Sequence, residues 1–89
     1  MIYMTNINVK DVKMFYGTTH AYKKHGYGEA KIRKALEKPI LNILTDHRNG
    51  NMQIWNNEFE VVIVDKELRV ITAFQSTLHY YMGKLRKAY

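Results

Sequence analysis

ILNILTDHRNGNMQIWNNEFEVVIVDKELRVITAF, residues 40–74, is the stretch that decides the fold. It holds four strand-like runs separated by turn signals. Ile40–Thr45 leads into His47-Arg48-Asn49-Gly50. Asn-Gly between two β-like runs is a strong hairpin signal, because both residues tolerate positive φ. Met52–Trp55 returns, and Asn56-Asn57 make the next turn. Phe59–Val64 is rich in β-branched residues, Asp65-Lys66-Glu67 turn the chain again, and Leu68–Phe74 closes the meander. The stretch predicts a four-stranded antiparallel sheet.

Working outward, Pro39 closes a helix over Glu29–Lys38. Ile32, Ala35 and Leu36 give it a buried stripe at i, i+3, i+4, with Lys31, Lys34 and Lys38 expected to point outward. Upstream, Thr18 or Thr19 caps a short helix over Thr19–His25, and Gly26 fits the left-handed position that ends one. The first residues mix apolar and polar positions. A short strand is expected around Ile7 and Val9, and a second over Val12–Tyr16, ended by Gly17. Downstream of the sheet, Ser76 or Thr77 caps a last helix with Leu78, Tyr81, Met82 and Leu85 as its apolar stripe. Lys84, Arg86 and Lys87 load its final turn, which the helix dipole favours without any ligand. The expected architecture is one α+β domain over residues 1–89, with N-terminal helices packed on the four-stranded sheet and a C-terminal amphipathic helix.

Composition bounds the function. The chain has 89 residues, 46% hydrophobic and 25% charged, with no cysteine. Disulfides and thiolate-bound metals are therefore excluded. Apolar runs such as Val61–Val64 are far too short to span a bilayer, and no leader pattern opens the chain, so neither a membrane partner nor a signal peptide is expected; the expected compartment is the cytoplasm of the producing or target cell. Met1 and Met4 are both plausible starts. Fourteen Lys and Arg face eight Asp and Glu, a net charge of +6 that favours a polyanionic partner.

Several functional classes lose support. Gly26-Tyr27-Gly28 lacks the rest of a phosphate-loop fingerprint, and no Gly-x-Ser-x-Gly elbow is present. His20, His25, His47 and His79 include no i, i+4 pair that would set two imidazoles on one helix face for zinc. No metal or cofactor is expected. A helix-turn-helix is disfavoured because sheet, rather than a recognition helix, follows the second helix.

Thr18-Thr19-His20-Ala21-Tyr22-Lys23-Lys24-His25 concentrates groups suited to metal-free RNA cleavage. That reaction needs a base for the 2′-hydroxyl, an acid for the leaving 5′-oxygen, and a cation against the charge on the phosphorane. Histidine suits the first two roles and lysine the third. His20 and Lys24 are i, i+4 and share one helix face, which His25 joins only from the turn that follows. Two roles stay open for His25: catalysis, or interaction with the last helix carbonyls. Thr72, on the last strand, is either a strand-favouring residue or a placed donor to phosphate. Tyr22, Lys23, Tyr27 and Arg33 are candidate RNA-binding residues, since tyrosine stacks on bases while lysine and arginine meet phosphates. Tyr81 is expected in the core.

The pattern Thr-x-His-Ala with Lys-His (Thr18–His25), Ile-x-x-Ala-Leu-x-x-Pro (Ile32–Pro39), Ile-x-x-Asp (Ile43–Asp46), the Val-rich strand (Phe59–Val64) and Val-Ile-Thr-Ala-Phe (Val70–Phe74) resembles the barnase–EndoU–colicin–RelE-like ribonuclease superfamily, in its small phage and polymorphic-toxin branches. The resemblance covers about Thr18 to Ser76. It implies two N-terminal helices on a four-stranded antiparallel sheet and metal-independent cleavage of RNA, tRNA or mRNA included. It implies His20 as the leading histidine, Lys24 and His25 as the basic-plus-His pair, and Thr72 as the hydroxyl residue of the last strand. Lys24 stands where the family has an arginine, which removes a bidentate grip on phosphate. The implied partners are RNA and an acidic immunity protein or antitoxin. The alternative is a non-catalytic phage-type protein that binds nucleic acid or inhibits a host protein.

Overall fold

The computed structural model describes residues 2–4, 6–14, 17–46 and 48–87, and of residues 2–4 and 17–20 the backbone only. The elements run β1 (Ile2–Met4), a 3₁₀ turn (Val9–Asp11), α1 (Gly17–His25), α2 (Glu29–Glu37), β2 (Ile40–Asp46), β3 (Met52–Asn56), β4 (Glu60–Val64), β5 (Val70–Gln75) and α3 (Leu78–Arg86). The fold is α+β. The antiparallel meander β2-β3-β4-β5 is present as expected, and β1 adds a fifth strand outside β2, giving the order β1-β2-β3-β4-β5.

Side chains of a strand alternate between faces, so pairing divides the sheet into two surfaces. Ile43 pairs with Ile54, Ile54 with Val62, and Val62 with Ala73. These four join Ala21 of α1 and Ile32, Ala35 and Leu36 of α2 in the larger core cluster. The other face carries Leu44, Trp55, Val61 and Phe74, closed by Tyr81 and Leu85 of α3. The sheet is thus sandwiched, with α1 and α2 on the first face and α3 on the second.

Each helix follows from its sequence. The expected stripe of α2 is buried, and Ile32 and Leu36 each stabilise the fold by about 1.5–3 kcal/mol. α1 ends around a left-handed glycine: the Gly26 amide donates to the Tyr22 carbonyl and the Tyr27 amide to the Ala21 carbonyl, both at 3.0 Å. Gly26 takes φ 72° there, a conformation costly for a side-chain-bearing residue. Thr77 caps α3 by accepting from the Tyr80 amide.

Four expectations need correction. α1 begins at Gly17, so Thr18 and Thr19, expected to cap it, lie within its first turn. The strand expected around Ile7 and Val9 is replaced by the 3₁₀ turn, because the Asn8 side chain accepts from the Lys10 amide and curls the backbone locally. The strand over Val12–Tyr16 shrinks to one bridge, Lys13 to Arg69, beside β5; Phe15 and Tyr16 lie outside the described residues. In α3 only Tyr81 of the expected stripe is buried, while Leu78 and Met82 are exposed. Tyr81 sets its ring against Trp55 and Phe59, centroids 5.1 and 6.0 Å apart. α3 meets the sheet through Tyr81 and the partly buried Leu85, which leaves Leu78 and Met82 in water.

Candidate nucleic-acid interface

Six of the eight acidic side chains form ion pairs, five of them at or beside the turns of the sheet. Asp46 pairs with Arg48 at 3.1 Å across the β2–β3 turn. Arg48 beside it, through its side chain first and its amide second, holds the Asp46 carboxyl down at about 2. Asp65 and Glu67 both meet Arg69. Glu29 meets Arg33 one helical turn on. Glu58 and Glu60 converge on Lys38. Asp46, the last residue of the Ile43–Asp46 pattern, is therefore tied into a hairpin turn.

Lysines of the helices stand apart from these acids. Among the described residues, Lys23 and Lys24 of α1 and Lys84, Arg86 and Lys87 at the end of α3 form no ion pair. No Asp or Glu occurs anywhere from Leu68 to Tyr89. Exposed tyrosines lie beside these cations: Tyr22 is 66% exposed and Tyr80 is 55% exposed. Lys84 sets its ammonium 5.5 Å from the Tyr80 ring centroid, a cation–π contact.

The residues singled out from sequence divide into groups. Lys23, Lys24 and Tyr22 are exposed on α1, as an interface requires. Arg33 is exposed but engaged with Glu29. His25 is exposed at the end of α1, and its ring lies 5.5 Å from that of Phe74 on β5. The fold therefore brings His25 to the strand that carries Thr72. His20 belongs to α1, but its side chain lies outside what is described, as does all of His47.

Two candidates do not fit their expected roles. Tyr27 is only 3% exposed, and its hydroxyl donates to Glu60 Oε2 at 2.6 Å, so its ring is core rather than a stacking platform for RNA. Thr72 shares a face with Phe74 but not with Val70, because the ladder shifts register between Ile63 and Val64. Its Oγ1 is buried without a hydrogen-bond partner and does not reach the surface where a phosphate would sit.

A polar cluster inside the first face was not legible as a site. Glu60 accepts from Tyr27, from Lys38 Nζ at 2.6 Å and from Asn56 Nδ2 at 3.0 Å. Burial pushes the Glu60 carboxyl up, but the hydrogen bonds from Lys38, Tyr27 and Asn56 outweigh it and leave the carboxyl below the usual range. Burial first, and Glu60 second, drive the Tyr27 hydroxyl well above its ordinary value. Lys38, expected to point into solvent, is instead drawn over this carboxylate. Asn56 also donates to the Ala35 carbonyl and accepts from the Glu58 and Glu60 amides. Every member is bonded, so the cluster ties the end of α2 to the β3–β4 turn. Its signal was a glutamate within a β-run, a polar residue that needs partners once buried.

No family model, curated protein or solved structure matches the chain. Among the described residues no group of three or more His, Asp or Glu is placed to hold a metal ion. Among the described residues no helix is long and apolar enough to cross a membrane.

Proposed function

We propose that this protein binds nucleic acid through its helices. The observation that carries the reading is the segregation of charge: Glu29, Asp46, Glu58, Glu60, Asp65 and Glu67 are held in ion pairs, while Lys23, Lys24 and Lys87 stand exposed and Lys84 partly exposed, with no ion pair among the described residues and with Tyr22 and Tyr80 on the same helices. Phosphates reward unpaired cations, since each contact releases condensed counterions. Helices cover both faces of the sheet, so a strand of RNA would meet helical surface first. A protein of this kind would act in the cytoplasm.

Cleavage of that RNA, by attack of a 2′-hydroxyl, is the second reading. It is favoured by Lys24 and His25 at the end of α1, with the His25 ring against Phe74 of β5. His20 would be the second acid–base group. As a toxin, the protein would be held in check by an acidic immunity protein or antitoxin against the same cations.

Fluorescence anisotropy with labelled RNA over a salt series tests binding. The affinity should fall steeply with salt, with a log–log slope of about −0.7 per phosphate contact on a single strand. Lys23→Ala combined with Lys24→Ala should flatten the slope by roughly one contact or more. No binding at low salt would end the reading. Incubating the same RNA in EDTA and in magnesium, followed by a denaturing gel, separates the two readings: discrete cuts lost in His25→Ala favour the ribonuclease, and intact RNA favours the binder.

A further inference from the structure

We infer that the outer surface of α3 holds a subsite for one unstacked base of a single strand, with Gly83 as its floor; this rests on the nucleic-acid reading above. A depression of about 210 Å³ is lined by His79, Tyr80, Gly83, Lys84 and Lys87. These residues span two turns of one helix, and Gly83 lies four residues from His79 and from Lys87.

The glycine is the informative residue. It sits inside a helix of nine residues, where glycine is the least favourable choice after proline. Its backbone has no positive φ that would call for glycine. A Cβ built there meets nothing within 4 Å. Neither conformation nor packing within the described chain therefore explains why a side chain is missing. What its absence creates is room between His79 and Lys87 for something from outside.

The chemistry of the rim selects the occupant. Lys84 and Lys87 are cations with no ion pair among the described residues, and Tyr80 and His79 are flat rings at an exposed surface. No acidic residue in α3 opposes them. Cations alone would suit any polyanion. Cations together with aromatic rings around a gap suit a base stacked on a ring, with its phosphate on a lysine. In a duplex the bases stack on one another, so this subsite discriminates in favour of single strands.

The test compares a labelled single-stranded RNA oligomer with a duplex of the same sequence, by anisotropy on the full chain. Gly83→Leu fills the gap with a strong helix former. It should melt at or above the wild-type temperature, bind the single strand about tenfold more weakly, and bind the duplex unchanged. Tyr80→Ala should also weaken the single strand selectively, whereas Lys84→Ala with Lys87→Ala should weaken both. Wild-type affinity for the single strand in folded Gly83→Leu and Tyr80→Ala would overturn the subsite while leaving the nucleic-acid reading standing. Equal losses for single strand and duplex would overturn base recognition and leave charge alone. Failure of the wild-type chain to bind either ligand would remove the reading beneath it, and the subsite with it.

Discussion

α2 and α3 are helices of equal length on opposite faces of one sheet, and they are attached in opposite ways. α2 buries three aliphatic side chains, and its end is tied down by Glu60, Asn56 and Lys38. α3 fully buries Tyr81 alone, leaves Leu78 and Met82 exposed, keeps a glycine in its interior and carries cations that form no ion pair among the described residues. The difference teaches where stability is concentrated. The face under α2 holds the fold, and the helix on the other side leaves Leu78, Tyr80 and Met82 exposed to solvent. The largest expected effect comes from truncating one apolar stripe residue on each helix, the buried Ile32 of α2 and the exposed Met82 of α3. Ile32→Ala should cost about 2–5 kcal/mol in urea unfolding. Met82→Ala should stay within about 0.5 kcal/mol. Similar costs at both positions would mean that α3 is as structural as α2.

Next in size is the polar tie itself. Glu60→Gln removes the charge opposite Lys38 and sets an amide donor where an acceptor stood. It should cost about 1–3 kcal/mol. The pH dependence has a definite sign. Glu60 titrates lower in the folded chain than in the unfolded one, so its contribution is whole above the ordinary glutamate value of 4.5 and is lost as pH falls through the folded value. Tyr27 titrates higher when folded, so its contribution is whole below 10.0 and is lost as pH rises toward the folded value. Melting temperature should therefore fall at both ends of the scale. In Glu60→Gln the acid-side fall should be visibly flatter. An unchanged acid limb in that variant would show that the tie contributes little, and that α2 rests on its apolar stripe alone.

The meander, α2 and the Gly26 terminus were legible because each depends on local signals: alternation, a 3–4 stripe and a left-handed glycine. What escaped was decided by partners distant in sequence or by side chains that replace backbone bonds. The later turns show this. Asn56 accepts from the Glu58 and Glu60 amides, and Asp65 does the same for Glu67 and Arg69, so each holds a chain reversal. Phe59 and Leu68 follow at φ 60° and 66°, positions where glycine would be expected. Their side chains pack against the second-face and first-face clusters respectively, which offsets that strain. At the first turn the Asn49-Gly50 signal was right about the hairpin, but only Gly50 is left-handed. The loop is held by the Gly50 amide on the Asp46 carbonyl and the Asp46 amide on that of Asn51, both at 2.8 Å. Of the candidate site, exposure at Tyr22, Lys23 and Lys24 followed from their place on a short polar helix. Burial of Tyr27 did not, because it depends on Glu60, 33 residues away. The register shift that separates Thr72 from Val70 is likewise invisible to a period-two reading.

The smallest expected effect sharpens the comparison of the two faces most, because each holds the same anomaly. Thr45, opposite Met52 on the α2 side, and Thr72, opposite Ile63 on the α3 side, both bury a hydroxyl without a partner. An unmade hydrogen bond inside a protein is a cost, and exchanging the hydroxyl for a methyl of the same shape removes it. Thr45→Val and Thr72→Val should therefore each leave stability unchanged or raise it by up to about 1 kcal/mol, read as a shift in the denaturation midpoint. Equal shifts would mean that both threonines are there for their β-branched shape, which suits a strand. A role in cleavage predicts a different split. Thr72→Val would then fold normally and lose RNA cutting, while Thr45→Val would cut like wild type. Because neither substitution disturbs packing, any difference between them in activity belongs to the hydroxyl of Thr72 and requires that β5 move enough to expose it.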